Sequence, residues 1–372
     1  MKIGFDAKRI FFNRSGLGNY SRGTVDALAA YYPDNEYVLF SPKPGNPAGY
    51  RVPDGIGTVY PRSGWNRRLS SLWRSYNMAG SLRRAEVELY HGLSNELPMD
   101  IRRSGARSVL TMHDIIFVRF PELYKPLDRW LYTRKYRSSC FRADRIIAIS
   151  RQTMDDLVNV WQVPEAKIDV VYQGCDPMFC AAADEEKKRS VRERYALPEH
   201  YILSVGTIEE RKNLLLTVRA MAEGGVEGEL VACGRATPYA DEIKRYAERH
   251  GIARRLHFIH NLRFEDLPAV YQMADVMVYA SLYEGFGIPI LEGLNSGVPV
   301  ITSEGGVFPE TGGDACYYVD PRSPEGMVVA LRETLGNTAL REAMIRKGRE
   351  YALRFREEEV AKNLMAVYRK VL

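Results

Sequence analysis

Short runs of β-branched and aromatic residues alternate with amphipathic stretches along the whole chain, and this alternation restricts the fold more than any other feature. The runs in the first half are KIGFDA, YVLF, VELY, SVLTM, DRIIAIS and IDVVY, and those in the second half are YILSV, GELVAC, RLHFI, DVMVY, PVIT and ACYYV. Helical patterns lie between them, for example at residues 19–32, 212–222 and 239–250. A strand, helix, strand order predicts parallel sheets covered by helices on both faces. We therefore predict two doubly wound α/β domains.

The length of the chain fits two such domains, because 372 residues exceed one core of ordinary size. The strand pattern stops after residue 174 and restarts at YILSV, with the charged segment DEEKKRSVRER between the two points. We predict a first domain over residues 1–174, a linker over 175–199 and a second domain over 200–354. A final helical pattern covers residues 355–372.

Composition and charge exclude several classes of protein. A content of 45% hydrophobic and 27% charged residues is typical of a globular chain, and the net charge of +5 indicates no particular partner. The first residues are too short and too charged for a signal peptide, and no apolar run approaches the roughly 20 residues that span a bilayer. We therefore expect a cytoplasmic protein. The five cysteines form no C-x-x-C pair, which argues against a zinc site and against a disulfide framework.

Open α/β sheets bind ligands at the carboxyl ends of their strands, so the loops that follow the strands are the candidate sites, and two such domains should leave a cleft there. After the strand YILSV, Gly206 begins a turn that contains Arg211 and Lys212. An arginine fork and a lysine point charge suit a diphosphate. The alternative is a solvated helix start, but cations at that end oppose the helix dipole. A bound anion would remove the conflict.

The stretch EGFGIPILEG, after the strand DVMVY, is the most specific pattern in the chain. Gly285 and Gly287 let the backbone approach a ligand, and Pro289 fits the first turn of a helix whose free amides bind anions. Glu284 precedes that helix and Glu292 lies about one turn inside it. The two acids can bind hydroxyls on either side of a diphosphate, where a nucleotide-sugar carries its sugar and its ribose. The alternative is an ordinary capped helix with a surface glutamate at each end.

Weaker candidates complete the donor side. Glycine-rich loops are common in turns, so none of these residues is specific by itself. They are Gly234 after the strand GELVAC, Leu262 after RLHFI, Phe286 and Ile288 within EGFGIPILEG, and Glu310 in the loop SEGGVFPETGG.

The first half of the chain offers a different set of residues. Gly16 and Gly18 in SGLGNY could approach an acceptor or a phosphate closely, but their spacing is not the G-x-G-x-x-G of a nicotinamide site. His113 ends the strand SVLTM and can bond either a sugar hydroxyl or a backbone carbonyl. Three further residues are assigned to the acceptor side: His91, Asn95 and Asn19.

No metal ion is needed to explain these patterns. The chain has no D-x-D motif and no histidine or cysteine cluster with ligand spacing. We therefore expect no metal and no other cofactor, and we expect Arg211 and Lys212 to neutralise the phosphates.

Together these residues resemble a known group, the retaining glycosyltransferases of family 4. The resemblance covers almost the whole chain and rests on SGLGNYSR, TMHD, AISRQT, VVYQGCDPMF, GTIEERKN, EGFGIPILE and SEGGVFPETGGDA. It implies the GT-B architecture of two Rossmann-like domains, of which the first binds the acceptor and the second the nucleotide-sugar. It also implies that the helix over 355–372 packs back on the first domain.

The resemblance implies a role for each matching residue. It places the donor sugar at Glu284 and the following amides, the ribose at Glu292, the diphosphate at Arg211 and Lys212, and the reacting sugar beside His113. This chain departs from many members at Thr207 and Asn213, where they have an arginine and a glycine. The division of the phosphates between Arg211 and Lys212 is therefore left open.

The implied reaction transfers a hexose from a nucleotide diphosphate-sugar, GDP-mannose first and a UDP-sugar second, to a saccharide or lipid-linked acceptor. Configuration would be retained, and the pathway would be cell-surface polysaccharide or glycolipid synthesis. The cations would stabilise the charge that develops on the leaving diphosphate. Three alternatives are a non-hydrolysing nucleotide-sugar epimerase, a catalytically silent transferase-like subunit, and a sugar-binding protein, which would need an export signal.

A basic segment at residues 60–84 contains six arginines and no acid. Trp65, Leu69, Leu72, Trp73 and Tyr76 recur there at helical spacing. A basic amphipathic helix with tryptophans can lie on an anionic membrane, which would suit a lipid-linked acceptor. The same stripe is also compatible with core packing or an acceptor groove.

Overall fold

The computed structural model describes residues 1–372, and these form two compact units. The first unit contains Met1–Gly174 and Phe355–Leu372, and the second contains Cys175–Arg354. Each unit carries one sheet in which every strand pair is parallel. The predicted doubly wound α/β class is confirmed.

The sheet of the first unit has seven strands in the order β3-β2-β1-β4-β5-β6-β7. The predicted runs correspond to six of them, and the three-residue strand at Gly57–Val59 was missed because it is too short to show a pattern. The strands are β1 (Lys2–Asp6), β2 (Glu36–Phe40), β3 (Gly57–Val59), β4 (Leu89–Gly92), β5 (Arg107–Met112), β6 (Arg145–Ala148) and β7 (Ile168–Val170).

Helices cover both faces of this sheet. Neighbouring residues of one strand enter different hydrophobic clusters, Val109 one and Leu110 the other, because successive side chains of a strand point to opposite faces. The helices are α1 (Lys8–Phe12), α2 (Gly16–Tyr31), α3 (Gly64–Arg68), α4 (Ser70–Tyr76), α5 (Ala79–Arg84), α6 (Ile116–Arg119), α7 (Pro126–Arg142) and α8 (Arg151–Trp161). Short 3-10 segments lie at Ile101–Arg103, Pro121–Leu123 and Glu165–Lys167.

The sheet of the second unit has six strands in the order β10-β9-β8-β11-β12-β13. All six correspond to predicted runs. They are β8 (Tyr201–Val205), β9 (Glu229–Cys233), β10 (Leu256–Ile259), β11 (Val276–Tyr279), β12 (Val300–Ser303) and β13 (Tyr317–Val319). The order reverses direction between β8 and β11, and such switch points are where parallel sheets bind ligands.

Eight α-helices belong to the second unit. They are α9 (Glu185–Tyr195), α10 (Leu214–Glu223), α11 (Pro238–Arg249), α12 (Leu267–Gln272), α13 (Ile288–Ser296), α14 (Phe308–Gly312), α15 (Pro324–Gly336) and α16 (Thr338–Ala352). The 3-10 segments are Pro177–Cys180, Glu210–Lys212, Ala253–Arg255 and Phe264–Asp266, with Leu353–Phe355 at the return to the first unit.

Residues 175–199 differ from the predicted linker, because they are an integral part of the second unit. Helix α9 is capped by Asp184, whose side chain accepts from the amide of Lys187. The fully buried carboxylate of Asp266 accepts hydrogen bonds from Lys187, Arg194 and Tyr195. Residues of the charged segment therefore attach α9 to the start of α12 by hydrogen bonds to Asp266.

The last helix, α17 (Glu357–Arg369), packs in the first unit. Val360, Leu364, Val367 and Tyr368 lie in the same cluster as the residues of β1 and α2. Its apolar face is therefore satisfied by the first sheet. No helix of the chain has the length and hydropathy required to cross a membrane.

The basic segment at 60–84 is not one continuous amphipathic helix. The helical path breaks at Leu69, and α3 and α4 are short pieces on either side. Trp73 is buried at 1% exposure, whereas Trp65, 79% exposed, and Leu72 face solvent. The predicted stripe is therefore divided between core and surface, and the division runs through α4 itself, where Trp73 is buried while Leu72 and Tyr76 are exposed.

Arg74 holds this segment to the sheet, although its position off the apolar stripe gave no sign of burial. Its guanidinium pairs with Asp6 at the end of β1 and with Glu96, and Glu96 also accepts from Lys135 of α7 at 2.6 Å. Burial would lower the pKa of Arg74, but the two carboxylates raise it well above its usual value. The network keeps its charges paired inside the unit.

We predict that Arg74→Met destabilises the protein by about 3 to 5 kcal/mol, because Asp6 would remain as a buried charge without its partner. The thermal midpoint measured by circular dichroism should fall by several degrees. Arg68→Met, an equal charge change at an exposed position of α3, is the control and should leave the midpoint almost unchanged. Equal midpoints for the two variants would show that the network does not stabilise the fold.

Candidate active site

The predicted donor residues of the second unit lie at one edge of its sheet, because all six strands end there. Gly206 follows β8, Gly234 follows β9, Leu262 follows β10 and Glu284 follows β11. Glu310, on α14 after β12, is half-buried. The structure thus collects residues that are far apart in the sequence on the carboxyl side of a single sheet.

The turn after β8 has a specific backbone conformation. Gly206 and Gly234 approach each other so closely that a Cβ on Gly234 would lie 1.8 Å from the carbonyl oxygen of Gly206. Asn213 adopts a left-handed conformation, with φ of 57°, at the start of α10. Its amide donates to the carbonyls of Ala280 (3.1 Å) and Pro321 (2.8 Å). Asparagine fits this position because it tolerates the left-handed conformation and its amide fastens the turn.

The carboxylate of Glu284 is the centre of the site. Its Oε1 lies 2.6 Å from Nζ of Lys212 and 2.8 Å from Nη1 of Arg211. The ammonium of Lys212 also donates to the hydroxyl of Tyr279 at 2.6 Å. Arg211 additionally donates to the carbonyl of Tyr283 and pairs with Glu209 at 2.7 Å. The two cations at the start of α10 were expected to need an anion. In this structure the carboxylate of Glu284 is that anion.

These contacts determine the charge of the site. Burial would raise the pKa of Glu284, but Lys212 and Arg211 lower it to about 2, so the carboxylate stays ionised. Burial lowers the pKa of Lys212, and the opposing effect of Glu284 limits that change. Burial would also lower the pKa of Arg211, but Glu284 and Glu209 raise it above its usual value.

The loop before α13 brings backbone and buried side chains together. Gly287 caps the helix with a φ of 94°, which strongly favours glycine, and Pro289 follows in the first turn after Ile288. The ring of Phe286 is 2% exposed, and its carbonyl accepts from the hydroxyl of Thr311 at 2.5 Å. Gly285, like Phe286, is buried. The loop at residues 285–287 is therefore held in place by the buried ring of Phe286 and the hydrogen bond from Thr311.

Glu292 lies one turn inside α13, in a different environment from Glu284. It is 7% exposed, and the hydroxyl of Tyr271 donates to its Oε2 at 2.8 Å. Burial raises its pKa to about 7. The two acids of the motif are thus distinct chemical groups, one permanently ionised and one able to donate as well as accept a hydrogen bond near neutral pH.

In the first unit, His113 is buried at the carboxyl end of β5. Its Nε2 lies 2.9 Å from the carbonyl of Leu93, and its backbone amide donates to Oδ1 of Asn95 at 2.8 Å. The ring of Tyr20 packs edge-on at 4.7 Å between centroids. Burial lowers the pKa of His113 to about 4, so the imidazole is neutral. A carbonyl only accepts, so Nε2 carries the proton and Nδ1 is the acceptor.

The structure does not place His91 where an acceptor could reach it. The side chain has no exposure, and its two nitrogens lie 2.7 Å from the hydroxyl of Tyr368 and 2.8 Å from that of Thr111. Burial lowers its pKa to about 3. His91 therefore joins α17 to the sheet, and its position one strand before His113 does not make it a binding residue.

The other first-unit candidates have separate positions. Asn95, 6% exposed, positions the backbone of His113. Oδ1 of Asn19 accepts from Arg22 at 2.6 Å. Gly16 is exposed at the start of α2, whereas Gly18 packs against Asn13 so tightly that a Cβ would lie 2.1 Å from the Asn13 carbonyl oxygen. Gly18 is thus explained by packing.

Sequence reasoning missed three partners of the site: Tyr279, Tyr271 and Glu209. Tyr279 is the last residue of β11, so its place at a strand end was a usable signal. Glu209 lies within the motif GTIEERKN and was not considered as a partner of Arg211. Tyr271 lies on α12, twenty-one residues before Glu292, and no local pattern connects the two.

Two family models match this chain. Residues 184–351 match the model described as glycosyl transferases group 1, and residues 14–179 match the model described as glycosyltransferase family 4. The chain belongs to the glycosyltransferases, because both models describe such enzymes and together they match residues 14–179 and 184–351. As a member it is a transferase enzyme, and its two α/β units have the GT-B architecture.

Individual relatives agree with this assignment. The glycosyltransferase is 28% identical to O-antigen chain mannosyltransferase B of Escherichia coli, over 99% of this chain and 100% of that protein. Its fold is similar to that of sucrose-phosphate synthase from Thermosynechococcus elongatus, with a TM-score of 0.80 and 20% identity over 100% of this chain and 98% of the other. Anabaena Alr3699/HepE, solved with UDP and glucose, gives a TM-score of 0.76 and 16% identity over 100% of both chains.

We predict that the raised pKa of Glu292 makes the glycosyltransferase less stable as the pH rises from about 4.5 to about 7. Across this interval the carboxyl group of Glu292 keeps its proton in the folded state, whereas the unfolded chain releases it. The free energy of unfolding therefore falls by roughly 2 to 3 kcal/mol as the pH rises. Glu292→Gln should remove this loss.

The measurement is the thermal midpoint of the wild type and of Glu292→Gln at about pH 5 and about pH 7.5. The variant should gain stability relative to the wild type at the higher pH alone. Glu248→Gln, at an exposed position on α11, is the control for the loss of a carboxylate. A parallel pH dependence in all three proteins would contradict the shifted pKa.

Proposed function

We propose that this glycosyltransferase moves a hexose from a nucleotide diphosphate-sugar to a saccharide or lipid-linked saccharide, with retention of configuration. The observation that carries the proposal is the pair of buried acids at one sheet edge. Lys212 and Arg211 keep Glu284 ionised, whereas burial raises the pKa of Glu292 to about 7. Glu284 accepts hydroxyls of the transferred sugar. Glu292 exchanges hydrogen bonds with the ribose.

The donor is proposed to be GDP-mannose first and a UDP-sugar second. The name of the Escherichia coli relative, an O-antigen chain mannosyltransferase, supports mannose, and its match over the full length of both chains supports a role in cell-surface polysaccharide synthesis. The UDP in the solved structure of Anabaena Alr3699/HepE keeps the UDP-sugars as the second choice.

Leaving-group stabilisation is the proposed source of catalysis. As the bond between the anomeric carbon and the phosphate breaks, negative charge develops on the diphosphate. Lys212 and Arg211, together with the amides at the start of α13, are held in place before the reaction and oppose that charge without reorganisation. We propose that these groups do this without a metal ion or other cofactor.

The first unit is proposed to contribute the acceptor side and one contact to the sugar. The neutral His113 presents Nδ1 as an acceptor for a sugar hydroxyl, because Nε2 donates to Leu93. The buried imidazole cannot act as a strong base, since burial lowers its pKa to about 4. The acceptor hydroxyl would therefore give its proton to the departing phosphate, on the face from which the phosphate leaves.

We predict that Lys212→Ala lowers the rate of transfer by about 30-fold to 1000-fold, which corresponds to a loss of about 2 to 4 kcal/mol of transition-state stabilisation. Lys347→Ala, an exposed lysine of α16, is the control and should retain wild-type turnover. Transfer should persist in EDTA.

The binding measurement that accompanies this assay is calorimetric titration with GDP, UDP and ADP, and with NAD as the negative control. One nucleoside diphosphate should bind selectively and bind more weakly to Glu292→Ala. Binding without turnover would favour a silent subunit, and isomerisation of the donor alone would favour an epimerase. Binding of NAD alone would contradict the donor site.

We also propose that the enzyme works in the cytoplasm, in peripheral contact with an anionic membrane. Large apolar side chains are exposed on α3 and α4, notably Trp65 and Leu72, among basic residues. Helix α7 exposes Trp130 and Phe141, and the guanidinium groups of Arg134 and Arg137 lie over these rings at 5.5 and 5.2 Å from the centroids. Tryptophan beside arginine suits the lipid headgroup region.

We predict that the enzyme sediments with vesicles that contain phosphatidylglycerol and not with purely zwitterionic vesicles. Trp65→Ser combined with Trp130→Ser should reduce the bound fraction severalfold, because both rings are exposed. Val329→Ser, at an exposed apolar position of the second unit, is the matched control. Binding that is independent of anionic lipid would contradict the proposal.

A further inference from the structure

Arg211 has more anionic partners than a residue that waits for a diphosphate would need. Its Nη1 lies 2.8 Å from Oε1 of Glu284, and its Nη2 lies 2.7 Å from Oε1 of Glu209. The arginine side chain is only 10% exposed. Each arm of the guanidinium that could bind a phosphate oxygen is therefore already bonded to a carboxylate of the same chain.

The charges of this cluster cancel. Arg211 and Lys212 supply two positive charges, and Glu209 and Glu284 supply two negative ones, so the net charge of the four groups is zero. A donor diphosphate brings about two further negative charges. It can gain the full benefit of Arg211 only if one of the two carboxylates gives up its contact.

The geometry shows which carboxylate can leave. Glu284 is bonded to both cations and its side chain is 10% exposed, so its release would leave a buried carboxylate without compensation. The side chain of Glu209 is 33% exposed and contacts one arm of Arg211. It can turn into water, where a carboxylate is well solvated. The difference in exposure makes Glu209 the replaceable partner.

The backbone of the turn does not depend on the Glu209 side chain. Glu209 caps the 3-10 segment Glu210–Lys212 through its carbonyl, which accepts from the amide of Lys212 at 2.9 Å. Its side chain makes no capping hydrogen bond. The carboxylate is thus free of a role in the local fold.

We propose that Glu209 is an internal counter-anion of the donor site. Its carboxylate occupies Nη2 of Arg211 in the empty enzyme, yields that position to the diphosphate of the donor, and returns as the nucleoside diphosphate leaves. The proposal rests on the proposed function, since it requires a diphosphate at Arg211. Glu209 weakens product binding and so promotes product release, while Glu284 keeps the cations in place throughout the cycle.

The test compares Glu209→Gln with Glu210→Gln. Both variants lose one negative charge from adjacent residues, but Glu210 is exposed and its carboxylate is not paired with Arg211. Titration with GDP and UDP should give a Kd about three to ten times lower for Glu209→Gln than for the wild type. Product inhibition should strengthen by the same factor, and the KM for the donor should fall without a rise in kcat. Glu210→Gln should change the Kd by less than about twofold.

Further variants separate the possible results. Glu209→Asp keeps the charge and should bind nucleoside diphosphate more nearly as the wild type does. Weaker binding by Glu209→Gln would mean that Glu209 orients Arg211 for the phosphate, and equal effects of the two glutamine variants would mean that only net charge matters. Either result overturns the proposal. Wild-type enzyme that binds no nucleoside diphosphate would overturn the proposed function as well, whereas wild-type binding that weakens in Lys212→Ala would leave that function intact.

Discussion

Every strand within each unit runs in the same direction, and the remaining structure depends on this constraint. Parallel strands require helical crossovers, which cover both faces and leave the loops after the strands at one edge. In the second unit this edge receives Gly206, Gly234 and Glu284 from three neighbouring strands. A site assembled in this way takes its precision from the sheet, because the loops that meet there come from distant parts of the sequence.

At that edge the protein has to keep a carboxylate and two cations out of water. Glu284 solves the problem by pairing with both Arg211 and Lys212, and each partner compensates the burial of the other. The same solution recurs in the first unit, where Arg74 joins Asp6 and Glu96. In both places the buried charges are organised around a shared partner, which fixes geometry more firmly than a single surface ion pair could.

The sequence was sufficient to predict the strands and the donor motifs, because hydrophobic periodicity and glycine positions are local signals. The features that could not be predicted from the sequence depend on contacts between distant residues. The burial of Trp73 and Arg74, and the attachment of α9 through Asp266, depend on residues far away in the chain. His91 is a further example. It lies at a strand end as His113 does, but its imidazole is bonded to the hydroxyl of Tyr368 from the last helix.

The parallel α/β class, the family resemblance and the two acids of EGFGIPILEG can all be inferred from the sequence, because each rests on a pattern of neighbouring residues. The difference between these two acids arises from folding. Burial raises the pKa of Glu292 to about 7, while Lys212 and Arg211 lower that of Glu284 to about 2. The ionisation of a group depends on the solvent and the charges around it, and folding brings those charges from distant parts of the chain.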